Sequence, residues 1–331
     1  MSTMSTLGIE IDPALEAALR EQMVGVEAML REAVTWPDEF VSEAAAHLMF
    51  AGGKRFRPLV TLLAAQFGDP VSPGVVPSAV VVELIHLATL YHDDVMDEAD
   101  VRRGAVSANS RWGNTVAILT GDILFARASQ ILADLGPDAV RLQAETFERL
   151  VYGQMCETVG PSATEDPVEH YLRVITDKTG SLIGTAARFG GMLSAAPAET
   201  TDRLTHWGER IGVAFQLADD LLDVAADQAE LGKTPGTDLR EGVPTLPALL
   251  LRRAARPEDR ALIAALDDDL SRDDALHQVL TELRANPVME EARAVTLRVA
   301  SEAQATLTEL PDTPARAALE SLGAFVVDRT S

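Results

Sequence analysis

The stretch AVVVELIHLATLYHDD, residues 79–94, is apolar around nearly its whole circumference and ends in paired acids. A helix of that pattern has no face to offer water, so it must lie inside the fold. Its carboxylates are then carried inward, where an ionised acid is costly unless it is paired or binds metal. The closing pentad reads Asp93-Asp94-Val95-Met96-Asp97. A second of the same spacing, Asp219-Asp220-Leu221-Leu222-Asp223, follows the apolar run IGVAFQLA. Positions i and i+4 of a helix share a face, so Asp93 pairs with Asp97 and Asp219 with Asp223. Two such pairs facing each other make a set of hard oxygen donors suited to Mg2+, which usually shares its shell with substrate phosphates. The plain alternative is a helix end of solvated acids. Acid at a helix C-terminus opposes the dipole, and the repeat on a second apolar helix argues against coincidence. By contrast, Asp267, Asp268, Asp269, Asp273 and Asp274 stand among Arg and Ser on an amphipathic segment and read as a solvated face.

The net charge of −23 argues against nucleic acid and anionic membrane surfaces as partners, because there is no clustered basic face to displace counterions. It also makes an anionic substrate awkward unless metal ions reverse the local sign. The few cations fall in telling places. Lys54 and Arg57 follow a glycine pair, where backbone can approach an anion closely. Arg102-Arg103-Gly104 lies just past the first pentad, and arginine forks match phosphate oxygens. His86 stands two helical turns before Asp93 on the same face. With Glu83 it forms Glu-x-x-His, a spacing found in di-iron bundles, but the second copy such a site needs is missing. Met49, Phe50 and Phe189, at helical spacing, read as core.

Helical periodicity is nearly continuous, and no alternating strand pattern emerges. Proline and glycine divide the chain into ten or more helices with short connections, and Pro137-Asp138 and Asp166-Pro167 make good helix starts. The candidate site residues run from Gly53 to Asp238, so one all-α domain over residues 1–331 is expected. Cys156 is the only cysteine, which excludes an intrachain disulfide and suits a reducing compartment. The N-terminal stretch lacks the basic start and apolar centre of a signal peptide. No run is expected to span a membrane; the nearest, residues 75–91, contains Pro77, Glu83 and His86. A cytoplasmic location is the expectation.

Taken in order, the segments GGKRFRP, ELIHLATLYHDDVMDEADVRRG, ITDKTGSLIGTAARFGG, FQLADDLLD and GKTPGTDLREGVPTLP resemble the trans-isoprenyl diphosphate synthases, the polyprenyl synthetase family. The resemblance covers nearly the whole chain and implies an all-helical bundle around a deep apolar cavity, usually a homodimer. It implies Asp93, Asp97 and Asp219 as principal Mg2+ ligands, with Asp94, Asp220 and Asp223 in support. About three ions are implied once diphosphate is bound, with Mn2+ able to substitute. Lys54, Arg57, His86 and Arg103 match positions that hold isopentenyl diphosphate. Arg102, Lys178, Thr179, Gln216 and Lys233 match those facing the allylic diphosphate. Two departures stand out: Thr237 and Val243 occupy positions where the family often has lysine.

The implied reaction is ionisation of the allylic diphosphate, attack by the isopentenyl alkene and loss of a proton, with no covalent nucleophile from the protein. A class I terpene cyclase would carry an Asn/Ser/Glu metal motif at the second site, where this chain has DDLLD. A non-catalytic subunit of a heteromeric synthase would usually lack the aspartates. Ala88 and Thr89 precede Asp93 by five and four residues, about one turn deeper along the helix. Family members with short products often have an aromatic residue there. Here both are small, and Leu84, Ile85 and Val81 continue an aliphatic wall. The product is therefore expected to exceed geranylgeranyl diphosphate, unless Phe125 or Tyr152 closes the cavity earlier; geranylgeranyl diphosphate is then the alternative product.

Overall fold

The computed structural model describes residues 11–225, 235–243 and 245–328, and these are almost wholly helical. The first half runs α1 (Pro13–Ala33), α2 (Glu39–Phe50), α3 (Phe56–Ala65), α4 (Val75–Met96), α5 (Ala108–Trp112), α6 (Asn114–Leu135) and α7 (Pro137–Val159). The second runs α8 (Pro167–Ile175), a π-helical turn (Thr176–Gly180), α9 (Ser181–Leu193), α10 (Ala198–Ala225), α11 (Thr237–Arg240), α12 (Leu246–Ala254), α13 (Arg260–Leu266), α14 (Asp273–Arg284), α15 (Val288–Leu307) and α16 (Pro314–Asp328). The helix starts follow local chemistry. Pro137 and Pro167 occupy the first turns of α7 and α8, and the Asp166 carboxylate accepts from the Val168 N–H at 2.8 Å.

Helix α4 is the hub, packed against α1, α3, α6 and α9, while α10 packs between α9 and α15. A single apolar cluster of buried residues extends from Leu15 to Leu322. Tyr91, fully buried on α4, donates to Ala44 O at 2.5 Å and accepts the Leu48 N–H at 3.1 Å. That ties the end of α2 to the turn of α4 just before the first aspartates. On the opposite side, a Cβ at Gly212 would stand 2.9 Å from Gly180 Cα, and one at Gly153 would stand 3.0 Å from Lys178 N. The π-helical turn is thus wedged between α7 and α10 where glycines leave room for backbone. Turns of this kind recur at functional sites.

Three expectations are corrected here. A short antiparallel hairpin, β1 (Val101–Arg102) and β2 (Ala105–Val106), interrupts the helices. Arg103 and Gly104 at its tip have φ of 54° and 75°. Two left-handed residues in a row make a primed turn, which matches the twist of paired strands. Two residues per strand are too few to leave an alternating pattern. Phe50 is 60% exposed, under the Arg31 guanidinium, while Met49 and Phe189 are core as expected. Helices α4 and α6, each of 22 residues, are long and apolar enough to cross a membrane; 67% of the first is buried but only 33% of the second. The acidic segment at 267–269 and 273–274 is exposed, as its composition requires.

Candidate active site

A cavity of about 640 Å³ lies between α3, α4, the hairpin, α7, the π-helical turn and α10. Asp93 and Asp97 enter it from α4, and Asp219 enters from α10. Burial pushes the Asp93 carboxyl up to about 6; Lys178 pulls against that rise and Asp97 adds to it. A carboxylate held this way is relieved by a cation. The other three aspartates turn into the protein. Asp94 is fully buried and accepts from Arg102 Nε at 2.5 Å, and its second oxygen is buried without a partner. Asp220 accepts from the Tyr171 hydroxyl at 2.5 Å and from the Leu246 N–H at 2.9 Å, and burial raises it to about 7. Asp223 accepts the Asp238 N–H at 3.1 Å, and its carbonyl takes the Gly236 N–H at 2.8 Å, so it anchors the start of α11.

Among the described residues, no three His, Cys, Asp or Glu side chains lie close enough to hold an ion by themselves. The donor set still fits a hard divalent cation, because all the facing groups are carboxylates that leave coordination positions for phosphate oxygens and water. Glu83 and His86 form no metal pair: Glu83, 2% exposed, takes Arg55 Nη1 at 3.2 Å.

Lys54, Arg57, His86 and Arg103 line the cavity, with His86 close to both Arg57 and Arg103. The Arg57 Nε is buried without a partner, and burial lowers its guanidinium to about 10, with Glu83 opposing. Arg103 donates to Leu48 O at 2.9 Å and to Gly52 O at 2.5 Å, so the hairpin tip grips the end of α2 and the glycine loop. Burial, then Arg57, Arg103, Arg102 and Arg55, hold His86 well below its ordinary value. It is neutral near pH 7, and its Nε2 lies 3.4 Å from Arg103 Nη2 as an acceptor.

Lys178, Thr179 and Gln216 line the same cavity from the π-helical turn and α10. The Lys178 ammonium is held by Glu157 at 2.5 Å, a partner that no sequence motif signals. Arg102 reaches the cavity, but its charge is taken up by Asp94 and, at 3.6 Å, by Asp97. Phe56 and Phe215 stack with ring centroids 5.9 Å apart and line the cavity. Lys233 lies outside the described residues. Thr237 opens α11, and Val243 is 41% exposed.

The expected aliphatic wall is only partly in place. Thr89 and Leu90 line the cavity, but Ala88, Ile85, Leu84 and Val81 are buried in helix packing and do not. Ala88 sits where α4 meets α6: a Cβ at Gly121 would come within 3.1 Å of Ala88 O. The cavity turns instead toward α6 and α7, where Phe125 and Phe147 face each other with ring centroids 4.6 Å apart, beside Leu150 and Val151. Phe125 is thus a wall residue, whereas Tyr152 is 63% exposed and is not.

The polyprenyl synthetase family profile matches residues 38–283. The nonaprenyl diphosphate synthase of Mycobacterium tuberculosis is 49% identical over 333 residues, 99% of this chain and 99% of that one. The geranylgeranyl pyrophosphate synthase of Corynebacterium glutamicum, solved with calcium and isoprenyl diphosphate, superposes with a TM-score of 0.88 at 45% identity over 97% of this chain and 99% of that one. A decaprenyl diphosphate synthase from Rhodobacter capsulatus does so with a TM-score of 0.88 at 35% identity, covering 96% and 99%. The relative and the superposed structures match along nearly the full length and the profile over residues 38–283, and the chain belongs to the polyprenyl synthetase family.

Proposed function

We propose that this prenyltransferase is a long-chain all-trans polyprenyl diphosphate synthase. It joins isopentenyl diphosphate head to tail with an allylic diphosphate and carries the product beyond geranylgeranyl diphosphate. One observation carries the reading: Asp93, Asp97 and Asp219 line a single cavity together with Lys54, Arg57, Arg103 and Lys178. The carboxylates suit Mg2+, about three ions with diphosphate bound, with Mn2+ as a substitute. When bound, the ions supply positive charge that stabilises the departing diphosphate.

The chain's own residues do the rest. Lys178, Arg102, Thr179 and Gln216 hold the allylic diphosphate at the aspartate end, so that its C–O bond breaks with charge moving onto oxygens already paired. Lys54, Arg57, Arg103 and neutral His86 hold isopentenyl diphosphate with its alkene toward the allylic carbon. The new C–C bond forms from that alkene, and a proton leaves to the released pyrophosphate. Phe56, Phe215 and the aliphatic walls keep water from the carbocation.

The long product draws support from the nonaprenyl and decaprenyl relatives and from the absence of an aromatic residue at Ala88 and Thr89. Geranylgeranyl diphosphate is the second reading, favoured by the Phe125–Phe147 pair closing toward the cavity. Labelled isopentenyl diphosphate, offered with each short allylic primer and Mg2+, decides by chromatography of the dephosphorylated products. Products beyond geranylgeranyl are expected. Termination there selects the second reading, and no condensation at all rejects both.

A homodimer in the cytoplasm completes the proposal. Phe147, Val151, Met155 and Val159 make an exposed stripe along α7, and Ile118 and Leu119 are exposed on α6. Apolar side chains exposed in a row on neighbouring helices are suited to a second copy. Light scattering of the purified protein checks it, and a monomer at micromolar concentration rejects it.

A further inference from the structure

Arg55 lies inside the GGKRFRP segment and lines the cavity beside Lys54 and Arg57, yet its guanidinium is taken up by protein acceptors. Its side chain is 8% exposed. Nε donates to Glu27 at 2.7 Å, Nη1 to Glu83 at 3.2 Å and Nη2 to Met49 O at 3.1 Å, with Gly52 O at 3.4 Å from Nη1. Little donor capacity is left for a substrate. The placement strains the backbone, since Arg55 sits at φ 47°, a left-handed conformation costly to any residue with a Cβ. A Cβ at Gly53 would stand 2.7 Å from Arg55 Nη1 and 2.9 Å from Arg103 Nη1, so the glycine loop lies directly over two guanidinium groups.

Glu83 explains why such a clamp is needed. It is buried one turn before His86, and its charge acts on both Arg57 and Arg103. An acid there, left without its own cation, would compete with a diphosphate for those two arginines. Glu27 comes from α1, outside the 38–283 stretch that the family profile matches.

We propose that Arg55 and Glu27 are positioning residues for the isopentenyl diphosphate pocket. Glu27 steadies Arg55, and Arg55 occupies the Glu83 carboxylate so that Arg57 and Arg103 stay available to the diphosphate. The inference rests on the prenyl diphosphate synthase reading above.

The test is steady-state kinetics of the full-length protein with each substrate varied in turn. Arg55→Gln raises KM for isopentenyl diphosphate about tenfold, with kcat and KM for the allylic primer nearly unchanged. Adding Glu83→Gln to Arg55→Gln recovers most of that loss, because the competing acid is gone. A purely structural role would give no recovery, and a rise in both KM values or in neither overturns the proposal. If Arg55→Gln does not fold, Glu27→Gln carries the test, since Glu27 is 32% exposed and tolerates change. It raises the isopentenyl diphosphate KM about threefold and leaves the allylic one alone; an unchanged KM overturns the proposal. A wild-type protein that condenses nothing fails the underlying reading, which is a separate outcome from a wild type that turns over with no such pattern in the variants.

Discussion

Arg102 grips Asp94, the middle aspartate of the first pentad, at 2.5 Å, while Asp93 and Asp97 on either side face the cavity. The second pentad divides its work differently, with one acid outward and two, Asp220 and Asp223, turned inward. Asp219 faces the cavity, and Asp220 beside it is taken by Tyr171 and the Leu246 N–H. In both, an outward acid is backed by an inward one that fixes a neighbouring element. A metal site needs such backing, because ligand orientation is set by what holds the ligand's surroundings.

The outer aspartates therefore separate chemistry from folding. Asp93→Asn and Asp219→Asn are expected to fold with melting temperatures near the parent. Turnover falls by about a thousandfold, the loss of several kcal/mol of stabilisation at the leaving group. Single-turnover rates at saturating Mg2+ check this, and near-parental rates in either variant would refute the assignment.

The two cation groups should separate kinetically. Arg57→Ala raises KM for isopentenyl diphosphate, while Lys178→Ala acts on the allylic primer, each by about tenfold for removal of one charged group. Varying one substrate at a time reads this out. Equal effects of both changes on both substrates would show that the groups are wrongly assigned.

The i, i+4 aspartates, the glycine-flanked cations and the proline helix starts are legible in the sequence because each depends on residues near one another along the chain. Which face of α4 meets the cavity is not. Ala88 and Thr89 differ by one step around the helix, and only the approach of α6 at Gly121 and of α7 at Leu150 decides between them. Glu157 on Lys178, Tyr171 on Asp220 and Glu27 on Arg55 are pairs across helices 21, 49 and 28 residues apart. Spacing rules do not reach that far.

A pH dependence follows from the raised acids. Asp93 and Asp220 rise to about 6 and about 7 in the folded chain, against about 4 for an unfolded aspartate. Between those values the folded state binds more protons than the unfolded one, so metal-free stability falls as pH rises through the window. The melting temperature in EDTA should be higher at pH 5.5 than at pH 8, and Asp220→Asn should flatten part of that slope. Mg2+ added at pH 8 should restore stability, because a cation replaces the proton. The same slope in parent and Asp220→Asn would show that Asp220 is not responsible.

Product length gives the sharpest test of the cavity. Ala88 is fully buried against α6, so Ala88→Phe overpacks the core and costs about 1–3 kcal/mol. It lowers the melting temperature without setting a new product limit. Thr89, one position on, does line the cavity, and Thr89→Phe should shorten the product while leaving the aspartates untouched. At the other end, Phe125 and Phe147 stand 4.6 Å apart, and removing either ring opens the wall toward α6 and α7. Phe147→Ala, the more exposed of the two, should lengthen the main product by at least one isoprene unit. Chromatography of the dephosphorylated products under excess isopentenyl diphosphate distinguishes these cases. Shortening by Ala88→Phe with an unchanged melting temperature would place the product on the Ala88 face of α4 and overturn the Thr89 wall.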